Sequence, residues 1–109
     1  MTVYLANAFS LSMLSQLPAQ IKVMETNPTE ITAIAFQNII VSAVGHEGTA
    51  QLLSQILGFQ VPVNRVSIKL APSDILIVFQ LLTRLPEGRV LTADEIKQLQ
   101  YKFYIVKLL

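Results

Sequence analysis

The sequence predicts an α/β fold in which a mixed sheet of five to six strands is covered by about four short helices. Segments rich in β-branched and aromatic residues alternate with segments whose apolar residues recur at helical spacing. Helix-capping residues stand between several of these segments. The length of 109 residues suits one domain, residues 1–109, with enough chain to bury a core.

The chain is predicted to open with a strand, a helix and a second strand. Residues 3–8 are rich in types that pack well on a sheet. Ser10 is a favourable N-cap for a helix that Pro18 would end. Residues 20–24 alternate apolar with polar side chains, which is typical of a short strand.

A second helix is predicted to start at Asn27. This residue is a good cap, Pro28 occupies the first helical position, and Glu30 stands three residues after the cap. The helix is expected to end near residue 37 or 38. Residues 39–44 form a nearly continuous β-branched run, which is typical of a strand buried on both faces of a helix-covered sheet.

The next segments predict a helix and a hairpin. Residues 49–57 place three large apolar side chains on one face, and Gly58 follows as a left-handed C-terminal residue. Two strands are predicted at residues 65–70 and 75–82. The turn-forming residues 71–74 between them favour an antiparallel hairpin.

The chain is predicted to close with a helix and a strand. Thr92 and Glu95 form a capping box for a helix that runs to about residue 100. Residues 103–107 then read as a strand, which completes the sheet.

Composition restricts the class of protein. The hydrophobic share is 52% and the charged share 14%, against about 25% charged residues in ordinary domains. This is too little charge to coat a small monomer, and the longest apolar run, residues 75–79, is too short to span a membrane. We therefore expect a cytosolic homo-oligomer with no membrane partner. The absence of cysteine, a single histidine and a net charge of +1 argue against disulfides, a zinc site and general nucleic-acid binding.

The first candidate site is the GHEGT segment at residues 45–49. A strand end here passes into a helix start, whose free backbone N–H groups favour an anion such as phosphate. His46 is the only histidine in the sequence, and its imidazole is the side chain best suited to proton transfer near neutral pH. Its spacing alone nevertheless favours a structural histidine in a turn.

Three further places depart from the apolar background. They are Asn64 with Arg65, the RLPEGR segment at residues 84–89, and residues 7–10 at a strand-to-helix junction. A guanidinium matches phosphate oxygens bidentately, although any one of these arginines alone is more simply a solvated strand-end residue. Ser10 alone is most simply a helix cap.

The candidate groups are able to cleave RNA without a metal, and a Ser-His-Asp arrangement also stays open geometrically, although Ser10 is in no nucleophile-elbow context. The sequence contains no carboxylate cluster at metal-ligand spacing, no Walker-type loop and no dinucleotide fingerprint. A histidine and several arginines are compatible with attack of the substrate's own 2′-hydroxyl on phosphorus. The histidine would then protonate the leaving 5′-oxygen, and the arginines would stabilise the developing charge.

Four motifs in one order resemble the viral-type ring nuclease family, the type III anti-CRISPR proteins. The motifs are LANAFS at residues 5–10, SAVGHE at 42–47, NRV at 64–66 and RLPEGRVL at 84–91. The resemblance implies a homodimer that cuts the second messenger cyclic tetra-adenylate into linear di-adenylates, with no metal or cofactor, in the cytoplasm of a host cell if the protein is viral. The two-fold symmetry of a dimer would match the symmetry of this ring.

The resemblance also implies roles for individual residues. The proposed catalytic residues are His46 as general acid, Arg84 as a phosphate or transition-state contact, and Glu87 as an orienting residue. The proposed ligand-binding residues are Asn7, Ser10, Thr49, Arg65 and Gln80. Gly48 departs from the family pattern, which commonly has serine there, and this puts one pocket hydrogen bond in doubt.

Two other functions are alternatives to the nuclease. A non-catalytic dimer could bind a cyclic oligoadenylate as a sponge or sensor, and Gly48 is its sequence support. Binding to duplex nucleic acid is disfavoured because the helix predicted from residue 92 carries Asp94 and Glu95 against Lys97.

Overall fold

The computed structural model describes residues 1–82 and 92–109, whose five strands form one mixed sheet in the order β2-β5-β4-β1-β3. The strands are β1 Val3–Ala6, β2 Ile21–Thr26, β3 Ile40–Ser42, β4 Ile75–Leu81 and β5 Tyr101–Leu108. The helices are α1 Pro28–Gln37, α2 Glu47–Leu57 and α3 Ala93–Gln98, with a 3₁₀ turn at Leu11–Met13. The predicted α/β fold is thus confirmed, with five strands and three α-helices in the described residues.

Strand directions bring several chain ends to one edge of the sheet. β1 runs parallel to both β3 and β4. β5 runs antiparallel to β4 and to β2. The carboxyl ends of β1, β2, β3 and β4 therefore lie at the same edge.

The predicted helix boundaries with strong local signals are confirmed. The Asn27 side chain accepts a hydrogen bond from the backbone N–H of Glu30 at 2.9 Å. Thr92 and Glu95 make both bonds of the capping box. Gly58 ends α2 in the left-handed conformation with φ of 78°, where glycine carries no Cβ penalty.

One apolar core lies between the sheet and helices α1 and α2. Ile31 of α1 and Leu53 of α2 are fully buried against the sheet. Phe79 of β4 packs on Phe103 of β5 with ring centroids 5.2 Å apart. Aromatic pairs at this distance are favourable beyond their buried area, so this cluster holds the two central strands together.

A second core lies on the opposite face of the sheet. Leu76 and Val78 of β4 are buried there under Ile68 and Leu70. Phe9 is partly buried at the margin of the same cluster. No helix longer than the 3₁₀ turn covers this face in the described residues, so loop segments provide its cover.

The helix predicted between Ser10 and Pro18 is wrong, because only the 3₁₀ turn Leu11–Met13 forms. The backbone groups that would continue it are used elsewhere: Met13 O accepts from Leu70 N at 2.6 Å, and Ser15 N donates to Leu70 O at 3.1 Å. Tertiary pairing here overrides a weak local propensity.

The hairpin predicted from residues 65–70 and 75–82 is also wrong. β4 has β1 on one side and β5 on the other, so no edge of β4 is open to residues 65–70. That segment lies over the second core instead, with Ile68 and Leu70 buried and their neighbours exposed. The apolar alternation was therefore informative about burial but not about pairing.

The β-branched run at residues 39–44 is not buried on both faces. β3 occupies an edge of the sheet, and the side chain of Ile39 just before it is 88% exposed. Within the described residues, no helix is long and apolar enough to cross a membrane.

Candidate functional site

The candidate site lies at the sheet edge where the parallel strands end. Asn7 directly follows β1, Gln80 lies at the end of β4, and Gly45 and His46 lie on the connection between β3 and α2. In open α/β sheets, ligands bind outside the carboxyl ends of the strands. The topology thus places three of the predicted site residues, Asn7, His46 and Gln80, at the edge of the sheet where a ligand is expected.

His46 lies at the start of α2. It occupies the N-cap position, and its backbone carbonyl accepts the first helical hydrogen bond from Ala50 N at 3.0 Å. Its imidazole is exposed and makes no capping hydrogen bond. The side chain is therefore accessible from solvent rather than serving as a cap.

The first turn of α2 offers donors to an anion. The backbone N–H groups of Glu47, Gly48 and Thr49 belong to the first helical positions, which have no partner inside the helix. Thr49 is half-buried, whereas Glu47 and Gly48 before it are exposed. A side chain at residue 48 would meet open space, because a Cβ built on Gly48 has no atom within 4 Å.

Arg65 is brought directly to the turn that carries His46. Its Nε donates a hydrogen bond of 2.9 Å to the carbonyl oxygen of Gly45. A Cβ on Gly45 would lie 3.3 Å from Cγ of Arg65, so glycine allows the arginine stem to approach closely. A permanently charged guanidinium therefore sits next to the residue preceding the histidine.

Asn7 and Gln80 share a groove of about 480 Å³ on the second face of the sheet. Phe9 and Tyr104, both partly buried, also line this groove. Asparagine and glutamine amides match the hydrogen-bonding edge of adenine, and aromatic rings offer a surface on which a base stacks. Amide and aromatic side chains therefore line the same groove.

The structure thus gathers the predicted residues into two groups. His46 and Thr49 lie at the start of α2, where Arg65 binds the carbonyl of Gly45, and Asn7 and Gln80 line the groove. Arg84 and Glu87 lie outside the described residues.

Ser10 belongs to neither group. Its hydroxyl is 2.8 Å from that of Ser12, and it makes no capping hydrogen bond. The interpretation of Ser10 as a side-chain cap is therefore wrong, and its binding role stays a prediction.

Sequence reasoning missed two features of the site. The sequence predicts a strand over residues 103–107, and the place of Tyr104 in β5 opposite Val78 puts this side chain in the groove wall. The sequence pattern gives Asn64 no role apart from Arg65, yet its side chain donates to the carbonyl of Ser42 at 2.7 Å. The alternation of β5 could have indicated Tyr104, but no sequence signal indicates the partner of Asn64.

Across residues 1–82 and 92–109, no three His, Cys, Asp or Glu side chains are grouped so as to hold a metal ion.

The chain is similar to proteins of archaeal viruses and to a bacterial protein, Uncharacterized protein YddF of Bacillus subtilis, which is 34% identical over 65 residues, 60% of each chain. A family model described as STIV B116-like matches residues 3–103. Uncharacterized protein 26 of Sulfolobus islandicus filamentous virus is 42% identical over 66 residues, which are 60% of this chain and 56% of that protein. Uncharacterized protein ORF117 of Acidianus two-tailed virus is 41% identical over 68 residues, which are 62% of this chain and 58% of that protein.

A solved structure shares the fold. B116 of Sulfolobus turreted icosahedral virus superposes with a TM-score of 0.88 at 30% identity, covering 98% of this chain and 99% of that one. The mixed five-stranded sheet with its helices is therefore the architecture of a viral protein of similar length.

Proposed function

Because the chain belongs to the STIV B116-like family, which has members in archaeal viruses, we propose that it is a viral-type ring nuclease. In this proposal it cleaves cyclic tetra-adenylate into linear di-adenylates without a metal ion and so switches off type III CRISPR signalling. The substrate and the reaction are those implied by the resemblance of its four sequence motifs to the viral-type ring nuclease family. The setting would be the cytoplasm of the infected or host cell.

The observation that best supports the proposal is the arrangement of His46 and Arg65. An exposed imidazole stands at a helix start, and a guanidinium is bound to the carbonyl of the preceding residue. Free helical N–H groups and positive charge both favour a phosphodiester. In this proposal the imidazole of His46 delivers a proton to the leaving oxygen.

The reaction requires few steps. The 2′-hydroxyl of one nucleotide loses its proton to water, and its oxygen forms a bond to the adjacent phosphorus. The bond from phosphorus to the 5′-oxygen breaks, and His46 transfers a proton to that oxygen. The product carries a 2′,3′-cyclic phosphate. Arg84 is proposed to stabilise the charge on phosphorus, with Glu87 orienting it, as the family resemblance implies.

The groove supports recognition of the adenine bases. Asn7 and Gln80 present amides there beside the rings of Phe9 and Tyr104. Ser10 and Thr49 are proposed to contact the ligand through their hydroxyls. Two amides and two aromatic rings in one groove suit a nucleobase better than a phosphate.

We further propose that the active form is a homodimer. A ring of four identical nucleotides contains a two-fold axis, so two copies of His46 would face two opposite phosphodiesters. Val23 lies at the rim of the groove and is 55% exposed. A partner copy over this rim would cover apolar surface that is costly to leave in water.

The test is incubation with cyclic tetra-adenylate and, separately, cyclic hexa-adenylate in EDTA, with products resolved by chromatography. We expect di-adenylate from the four-membered ring. A binding assay and a single-turnover assay with excess protein accompany it. Tight binding with the ring returned intact would replace the proposal with a sponge or sensor, and absence of both binding and cleavage would refute both functions.

A further inference from the structure

The connection from β3 to α2 is held from outside the sheet. β3 has β1 as its strand neighbour on one side and is otherwise an edge of the described sheet. Edge segments lack the ladder of backbone hydrogen bonds that fixes a central strand. The residues that lead to His46 therefore depend on some other support.

That support comes from two consecutive residues, Asn64 and Arg65. The Asn64 side chain donates from Nδ2 to the carbonyl of Ser42 at 2.7 Å, and its backbone N–H donates to the carbonyl of Val44 at 2.8 Å. Nε of Arg65 donates to the carbonyl of Gly45 at 2.9 Å. Three carbonyls along the connection are thus bound by one short segment.

The segment is itself anchored to the same strand. The hydroxyl of Ser42 donates to the carbonyl of Pro62 at 2.6 Å, and it also accepts from the N–H of Val44 at 3.3 Å. Val44 is fully buried. The chain just before His46 therefore has little freedom to shift relative to residues 62–65.

We propose that Asn64 and Arg65 act as a clamp that positions His46 for proton transfer, with Asn64 as a positioning residue that does not touch the substrate. This inference rests on the proposed nuclease activity. Arg65 has a second proposed role as a ligand contact, so its variants would mix two effects. Asn64 is the residue that isolates positioning, because its amide is engaged with the Ser42 carbonyl.

The expected effect is on the chemical step. A displacement of about 1 Å at a catalytic group lowers a rate by about 10²-fold. The variant Asn64→Ala is therefore expected to lower kcat for cyclic tetra-adenylate by roughly 10- to 100-fold with little change in KM. A residue of purely structural importance would instead reduce the folded fraction and leave kcat per folded molecule unchanged.

A matched control exists before the start of β3, at the opposite end of that strand from the connection. Asn38 is also half-buried, and its Nδ2 donates to a backbone carbonyl, that of Ile34, at 3.2 Å. It lies at the end of α1, away from the connection that carries His46. The variant Asn38→Ala removes the same type of hydrogen bond and is expected to keep kcat within about twofold of the unmodified protein, because it leaves the catalytic geometry intact.

A second measurement needs no substrate. Hydrogen exchange of the amides of Ala43, Val44 and Ala50 reports directly on the connection, since each donates a defined bond. In Asn64→Ala we expect their exchange to be at least about tenfold faster than in Asn38→Ala. Unchanged exchange would overturn the clamp whatever the activity.

The proposed nuclease activity and the proposed positioning role of Asn64 can therefore be refuted separately. If the unmodified protein cleaves no cyclic tetra-adenylate, the nuclease proposal fails and the positioning role falls with it, while exchange still decides whether the clamp holds the connection. If cleavage is present and exchange accelerates, but kcat in Asn64→Ala is unchanged, the positioning role is wrong.

Discussion

The backbone N–H of Thr2 donates a hydrogen bond of 2.9 Å to Oδ1 of Asp74, across 72 residues of sequence. The other carboxylate oxygen, Oδ2, accepts from the N–H of Ala71 at 3.0 Å. Ile75 N completes the junction by donating to the carbonyl of Thr2 at 2.9 Å. One nearly buried carboxylate thus aligns the beginnings of the parallel strands β1 and β4.

Removing this carboxylate should destabilise the protein. Asp74→Ala leaves two backbone N–H groups without their charged acceptor, and such bonds are worth about 1.5–3 kcal/mol each. We expect the free energy of unfolding, measured in urea, to fall by about 3–6 kcal/mol, the sum for the two bonds. The control is Asp94→Ala in the exposed first turn of α3, where loss of a helix-dipole interaction costs about 0.3–1 kcal/mol. Equal losses in the two variants would contradict the structural role of Asp74.

The residue before Asp74 gives a prediction of opposite sign. Ser73 has φ of 79°, a left-handed conformation that is unfavourable for a side chain with a Cβ. Ser73→Gly should raise the urea midpoint, with a gain of about 0.5–1 kcal/mol after the entropy of the glycine variant's unfolded chain is offset. The control Ser67→Gly changes a residue whose φ is not positive, and it should lower the urea midpoint. A decrease in both variants would contradict this account.

His46→Ala tests the proton donor. We expect the single-turnover rate on cyclic tetra-adenylate to fall by about 10² to 10⁴, with affinity for the ring retained. Gln51→Ala is a suitable control because Gln51 is also exposed and lies one turn further along α2. Full activity of the His46 variant would remove this residue from the mechanism.

Gly48→Ser tests the departure from the family pattern. The new side chain would meet open space at the start of α2, so it should fold normally. One added hydrogen bond of about 0.5–1.5 kcal/mol would tighten binding of the ring by roughly 2- to 10-fold. Binding is best measured in a His46→Ala background, which prevents turnover. Gly48→Ala supplies the β-carbon without the hydroxyl. An equal gain in affinity in that variant would rule out the hydrogen bond.

The features predicted correctly from sequence depend on neighbouring residues. Asn27 caps α1 and Thr92 caps α3 because the groups they bind lie within three residues. Gly58 ends α2 for an equally local reason. These elements needed no knowledge of the rest of the molecule.

The errors arose where distant parts of the chain compete for the same backbone groups. Residues 65–70 have the alternation of a strand, but β1 and β5 already flank β4. The backbone of Leu70 instead bonds Met13 and Ser15, which also ended the predicted helix there. Local patterns contain no information about which of two possible partners is nearer in space.

In the candidate site, too, the local feature was predictable from sequence and the long-range contact was not. The motif containing His46 was identifiable because a lone histidine follows a strand and precedes a helix. The closeness of His46 to Arg65 was not identifiable, because it depends on a hydrogen bond from Arg65 to a backbone carbonyl twenty residues away. A carbonyl oxygen is present at every residue, so the sequence does not identify which one a side chain will bind.

The position of β2 has a consequence for how the protein is made. In the described sheet β2 has a single strand neighbour, β5, and pairs with it along its full length from Ile21 to Thr26. Along the chain β5 follows every other strand of the described sheet, so during synthesis β2 stays without its strand partner until β5 has been made. Unpaired strands are templates for aggregation, and the charges of Lys22 and Glu25 oppose this. A product that stops before Tyr101 would leave β2 exposed to other chains.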